Sequence, residues 1–368
     1  MIVKGRHVAL IELTAMKPTL ENILKNLIDR RTAKTRGITM IELLVIISII
    51  SMIALIIIPG IQASRESARK AQCVNQLKQF GVAIAQFETT NREFPASITS
   101  SETTAWKRVG FQSMSVHMQI LPYLEQKPLY DSVNLNPHPN SRFLAFASLS
   151  NFTALQTRVG TFLCPSDRFK KLPGNSYRAN VGPNPDLLEL QHVSEPKGGG
   201  GALRPLYPTK ASEFTDGLST TVGLSERVAG SNEISFSKDR DLWFTGLEKS
   251  RGLVSNDELV EICGIPNPNP SEFYAALGTY WLPGRYADTV YNHVGTPNAP
   301  FPDCVMHEKL YEGRPPLNTA AVTARSRHNG GVQVLLMDGS VSFVKNSITY
   351  SIWRAISTRS GNERLGEY

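Results

Sequence analysis

The stretch KTRGITMIELLVIISIISMIALIIIPG, Lys34 to Gly60, decides how this chain is built. Between Gly37 and Pro59 stand 21 residues that are almost wholly apolar, with one carboxylate, Glu42, among them; four basic residues occupy the seven positions before Gly37. As a helix, the run 38–58 is about 31 Å long, enough to cross a hydrocarbon core of about 30 Å. The basic cluster Arg30, Arg31, Lys34 and Arg36 places the N-terminus on the cytoplasmic side of the inner membrane, so everything after Pro59 is expected to be exported. A cleaved secretory signal would have a shorter apolar region and small residues at its end; Pro59 to Ser64 supplies no convincing site.

Outside this segment the composition is ordinary. The chain has 368 residues and a net charge of +7, but the first 37 residues hold eight Lys+Arg against three Asp+Glu, and the rest hold 31 against 29. The basic excess belongs to the leader, which leaves a nucleic-acid partner without support. The partner implied by the apolar run is the lipid bilayer.

A carboxylate at membrane depth wants a partner. A cut between Gly37 and Ile38 would create an amine one helical turn from Glu42, able to pair with it in the same chain or the next one. The alternative is that Glu42 simply reaches water at the interface.

Beyond Pro59-Gly60, which is expected to kink or interrupt the helix and need not end it, Val74, Leu77, Gly81, Ile84 and Phe87 or Glu88 recur at three- and four-residue steps. The helix is expected to run from about 38 to 91 and to lay one face on a globular head. After it come short apolar segments between Pro, Gly and Asn, read as mostly strands with a short helix near Pro122 to Ser132. The fold class is therefore α+β: a long N-terminal helix on a large, mainly antiparallel β head. Its parts are a leader (1–37), a membrane helix (38–58), its amphipathic continuation (59–91) and the head (92–368). Residues 264–303, with seven prolines, read as loop or insertion rather than core. The run Gly198 to Gly201 lacks phosphate-loop spacing and reads as a flexible loop.

In RHNGGVQVLLMDGSVSFVKNS, Asp338-Gly339 signals a two-residue hairpin turn. Pairing Met337 with Ser340 sets Leu336 opposite Val341 and Val334 opposite Phe343, giving one shared core face. Ile348, Ile352, Ala355 and Ile356 then share a face of a last helix. Cys73, Cys164, Cys263 and Cys304 all fall on the exported side, where an oxidising compartment permits disulfides, though as buried thiols they need no partner. Of three possible connectivities, Cys263–Cys304 is favoured because it closes the proline-rich segment, leaving Cys73–Cys164 to tie the helix to the head.

No catalytic constellation stands out, and the chain is read as no enzyme, with no metal or cofactor. His328 and Asp338 are assigned to the scaffold, since Asp338 suits the turn and an extended strand would put them roughly 30 Å apart. His117, His138, His192, His293 and His307 are scattered, Ser225 lacks a nucleophile elbow, and Glu213, Asp216, Glu226 and Asp288 lack EF-hand spacing.

RGITMIELLVIISII resembles the cleavage and methylation segment of type IV prepilins and of type II secretion pseudopilins. Gly37 matches the residue before the cut and Glu42 the acid; Ile38 stands where these families usually have Phe. A start at Met16 would shorten the leader and keep its basic cluster. The segments AQCVNQLKQFGVAIAQFE, ILPYLEQKPLYD, FLCPSD, SYRANVG, TDGLSTTVGLSERV and SRHNGGVQVLLMDGSVSFVKNSI together resemble the secreted pilin-like proteins labelled domain of unknown function 1559. The last of these carries His-x9-Asp-Gly, as His328, Asp338 and Gly339. The resemblance implies a prepilin-like structural or interaction protein, with prepilin peptidase and other pilin-like subunits or secretion machinery as partners. The rival reading is an exported enzyme or ligand-binding domain on a pilin-type anchor.

Overall fold

A computed structural model describes residues 39–100, 113–135, 151–167, 173–187, 200–248, 255–265, 273–307 and 319–363. It divides into two compact units, Met1–Ser64 and Arg65–Tyr368. Helix α1, Met40–Asn91, begins in the first and ends in the second. It is helical through Pro59 and Gly60. In the first unit its large apolar side chains are exposed, from Met40 to Ile58, and by length and composition this stretch is sufficient to cross a membrane.

In the second unit α1 is a core element. Cys73, Leu77, Phe80, Gly81, Ala83 and Ile84 are buried, a wider face than the stripe read from the sequence. Val74, Phe87 and Glu88 only line its margins. Arg92, in a left-handed conformation (φ 62°), ends the helix and donates its N–H to Glu88 C=O. The chain then enters strand β1 (Ile98–Ser100), which pairs with β2 (Ser113–Ser115). Short helices α2 (Val116–Ile120) and α3 (Lys127–Asp131), joined by a 3-10 turn, cover the expected helical position; α4 (Phe152–Gln156) follows.

The remaining elements are β3 (Tyr177–Asn180), β4 (Val222–Glu226), β5 (Leu242–Glu248), α5 (Asn256–Gly264), β6 (Phe273–Tyr274), β7 (Val290–Tyr291), β8 (Asp303–His307), β9 (Ala320–Ala321), β10 (Gly331–Leu336), β11 (Val341–Lys345) and α6 (Tyr350–Ala355). One sheet has the order β11-β10-β4-β3-β7 and another β6-β5-β8-β9. Pairing is antiparallel apart from β3 with β7 and β5 with β8. The α+β class expected from the sequence holds.

Three local readings are corrected. The final hairpin has a three-residue loop: Leu336 N–H donates to Ser340 C=O and Gly339 N–H to Leu336 C=O, with φ positive (87°) only at Gly339. The extra loop residue shifts the register by one, which turns each side chain to the other face. Leu335 now opposes Val341 and Gln333 opposes Phe343. Strand β10 is central, between β11 and β4, with Val332, Val334 and Leu335 buried, whereas Leu336, Val341 and Phe343 are half-buried.

Residues 273–303 are irregular but belong to the core. Leu277, Trp281, Leu282, Tyr286, Val290 and Tyr291 are fully buried. Proline and glycine content reports backbone irregularity and carries no information on burial. Gly198 and Gly199 lie outside the described residues, but Gly201 is buried against the backbone just after β3, where a Cβ would stand 2.2 Å from Val181 C. Only glycine fits that approach. In α6 the buried residue that sequence spacing passed over is Trp353, beside the expected Ala355 and Ile356.

Candidate functional site

Gly37 and Ile38 lie outside the described residues. Glu42 stands in the first turn of α1, where its carboxylate accepts the Thr39 N–H and the Thr39 hydroxyl, both at 2.9 Å, and its own N–H donates to Thr39 Oγ1 at 3.3 Å. This reciprocal arrangement is a capping box, signalled by the pattern T-x-x-E. It gives Glu42 a local partner that sequence reasoning did not weigh.

The second site lies where α1 meets the head within the second unit. The disulfides are Cys73–Cys164 and Cys263–Cys304, the favoured pairing. Cys73 lies on α1 and Cys164 just after the 3-10 turn Gly160–Phe162. Against this bond lies His328, 4% exposed, in the bend before β10. Its Nε2 is 3.1 Å from Glu226 Oε1 at the end of β4 and 3.7 Å from Cys164 Sγ. Its Nδ1 is 3.2 Å from Glu66 Oε1 on α1. Glu226 Oε2 accepts the Gln333 N–H at 2.8 Å, and Glu66 is further held by Ser166 and Arg69. Two carboxylates thus fix both ring nitrogens.

The electrostatics follow from this arrangement. Burial alone would weaken protonation of His328, but the bonds and charges of Glu226 and Glu66 outweigh it and raise its pKa above the usual value. Burial pushes Glu66 upward, yet the bonds from Arg69, His328 and Ser166 hold its pKa below the ordinary carboxylate value.

Beside the cluster, Arg227 and Arg325 both bond Asp303, whose second oxygen also takes the Thr323 hydroxyl; all are buried. Asp167, also buried, accepts from Ser176 and from the Ala229 N–H. These buried charges are paired as burial requires.

His328 and Asp338 are in different surroundings. Asp338 Oδ1 accepts the Ser340 N–H and hydroxyl, closing the hairpin turn at the surface. His117 and His293 are fully buried; burial pushes the pKa of each down to about 3. His117 Nε2 donates to Tyr177 C=O, while His293 stacks on Trp353 and its Nδ1 donates to Trp353 C=O. His138 and His192 lie outside the described residues, as does the side chain of His307.

Ser225 is buried within β4 and gives its hydroxyl to Gln333 C=O. Glu213, Asp216 and Asp288 have separate partners in Arg204, the Gly361 and Asn362 N–H groups, and Arg285. They do not converge with Glu226.

Donor atoms of Cys73, Cys164, Glu226 and His328 lie within 4.8 Å of one another, all buried, the one such group of potential metal ligands among the described residues, with its two sulfurs joined in the disulfide. The sequence reading placed no metal there. Glu66 was legible as a companion of Cys73, seven residues away on the same helical face. Glu226 was not, because only the pairing of β4 with β10 brings it to His328.

The family model described as Protein of unknown function (DUF1559) matches residues 62–351, more than half of the chain. That span includes the whole junction cluster and excludes Gly37 and Glu42. No curated protein and no solved structure matches.

Proposed function

The chain belongs to the family described as Protein of unknown function (DUF1559), and on that premise we propose that it is a membrane-anchored, exported, pilin-like structural or interaction subunit matured by prepilin peptidase between Gly37 and Ile38. The observation that carries this reading is the single helix Met40–Asn91: exposed and apolar over its first turns, then built into the core of the head over its last. A signal removed with the apolar stretch has no need of such continuity. Glu42, five residues after Gly37 and in the first turn of that helix, stands where an assembly partner's amine would be met. The role needs no catalytic group in the head; its partners are the bilayer, the peptidase, and pilin-like subunits or secretion machinery. The test is N-terminal sequencing and intact-mass measurement of membrane-extracted protein. A mature chain starting at Ile38 supports the reading, with or without N-methylation; a start after Ala63 overturns it.

A further inference from the structure

The two disulfides sit in different chemical settings. Cys263–Cys304 lies among Trp243, Leu259, Val294, Phe301 and Met306, an apolar cluster in which a covalent link is simply sealed off. Cys73–Cys164 faces an imidazole and a carboxylate. Two sulfurs, one imidazole nitrogen and one carboxylate oxygen are a donor set suited to zinc-class ions.

The supporting groups match as well. A metal-bound histidine usually gives its other ring N–H to a carboxylate, which fixes the tautomer and aims the ligating nitrogen. His328 does this: Nδ1 meets Glu66, and Nε2 is directed at Glu226 and Cys164. Glu226 is likewise held by the Gln333 N–H through Oε2, leaving Oε1 for the cluster. A tetrahedral zinc site with bonds of about 2.0 to 2.3 Å has ligand-to-ligand edges of about 3.3 to 3.8 Å. The donor atoms already lie within 4.8 Å of one another, so small side-chain rotations suffice once the sulfurs are freed.

We infer that Cys73, Cys164, Glu226 and His328 form a thiol-gated site for a zinc-class divalent cation, closed while the disulfide stands and opened by a dithiol reductant. Two electrons from the dithiol break the Cys73–Cys164 bond; the dithiol closes to its own disulfide, and its two protons pass to the protein sulfurs. The ion then displaces those two protons, and the one that His328 Nε2 shares with Glu226 goes to solvent, so that both thiolates, Nε2 and Glu226 Oε1 bond the ion. A cleft of about 620 Å³ lined by Gln72, Gln76, Arg158, Cys164 and Asp167 borders the buried disulfide on the Cys164 side, the side from which reductant and ion would approach. The consequence is mechanical: Cys73 on α1 stays tied to the head in either redox state, by a covalent bond or by a metal. The inference does not depend on how the N-terminus is processed.

The test uses the full chain in detergent, either as isolated or reduced with dithiothreitol and freed of it without air, and titrated with Co²⁺ and then Zn²⁺. The reduced chain is expected to take up one Co²⁺ with a thiolate-to-cobalt charge-transfer band that Zn²⁺ removes, and the oxidised chain none. Cys164→Ser should abolish the band, while the Cys263→Ser/Cys304→Ser variant should keep it. Glu66→Gln should keep the band and weaken affinity about 10- to 100-fold, as loss of an outer carboxylate does elsewhere. A reduced chain without the band, a band that survives Cys164→Ser, or equal uptake by the oxidised chain overturns the inference.

Discussion

Gly81 of α1 and Gly339 of the last hairpin touch backbone to side-chain space: a Cβ on Gly81 would stand 3.1 Å from Gly339 Cα and 3.0 Å from Leu335 Cδ1. The helix backbone meets the hairpin tip there, with the Leu335 side chain packed alongside. Gly81→Ala asks its neighbours to give by a few tenths of an ångström, and the gain in helix propensity partly offsets this. Gly81→Val has no such room and should cost about 1 to 3 kcal/mol, the usual range for overpacking. Thermal or urea unfolding of the two variants checks the order.

The hairpin register makes a second prediction. Leu335 is 1% exposed and faces α1, whereas Leu336 is half-buried. Leu335→Ala should cost about 2 to 5 kcal/mol and Leu336→Ala clearly less. Phe343→Ala should also fall below Leu335→Ala, since the ring is half-buried and capped by Lys70 Nζ at 3.8 Å. Asp338→Ala loses the two bonds from Ser340 and should cost on the order of 1 kcal/mol. A larger loss at Leu336 than at Leu335 would favour the two-residue turn over the observed register.

The long helix, its end at Asn91, the α+β class and the cysteine pairing were legible because each rests on local signals: apolar length, turn residues, and a proline-rich segment bracketed by cysteines. The hairpin was legible as a hairpin but not in register, because Asp-Gly serves both two- and three-residue loops. Burial of Trp281, Tyr286 and Tyr291 was hidden by the prolines around them. The junction was half-visible. Cysteine and histidine were on the page, but Glu226 reaches them only through a strand pairing with a residue separation of about one hundred, which no local pattern encodes.

Asp303 answers two buried arginines, Arg227 and Arg325, at distances of 2.8 to 3.0 Å. Burial alone would raise its pKa, but the two guanidinium groups hold it below the ordinary value. Asp303→Asn would leave two cations buried with neutral partners and should cost about 3 to 5 kcal/mol. A depressed carboxylate pKa stabilises the fold above about 3.8, the unfolded value, and the contribution is lost as pH falls through the lower folded value. The variant's deficit measured by denaturant unfolding should therefore be largest near neutrality and shrink in strong acid.

His117 and His293 set the milder acid limb. Both are buried neutral with folded pKa values of about 3, against 6.5 for the free side chain. Below pH 6.5 the unfolded chain takes up protons that the folded chain refuses, so stability falls as pH falls toward 3. Each histidine adds up to about 1.4 kcal/mol per pH unit in that window. His117→Gln keeps a donor for Tyr177 C=O and His293→Asn one for Trp353 C=O, both without a titratable ring. Unfolding measured at pH 7 and pH 5 should show a smaller loss in these variants than in the unchanged chain.

Glu42 has a cap to make and, on the proposed function, an amine to meet. The two roles separate through Thr39. Thr39→Val removes the hydroxyl from the capping box but leaves the carboxylate free to pair, so crosslinking between neighbouring subunits should persist. Glu42→Val removes both roles while making the segment more apolar, so membrane insertion should be kept and crosslinking lost. Processing at Gly37 should proceed in both variants and stop in Gly37→Val, read as a retained leader by intact mass. If Glu42→Val crosslinks as well as the unchanged chain, the carboxylate is a helix cap alone, and the assembly role proposed for it fails even where cleavage at Gly37 is found.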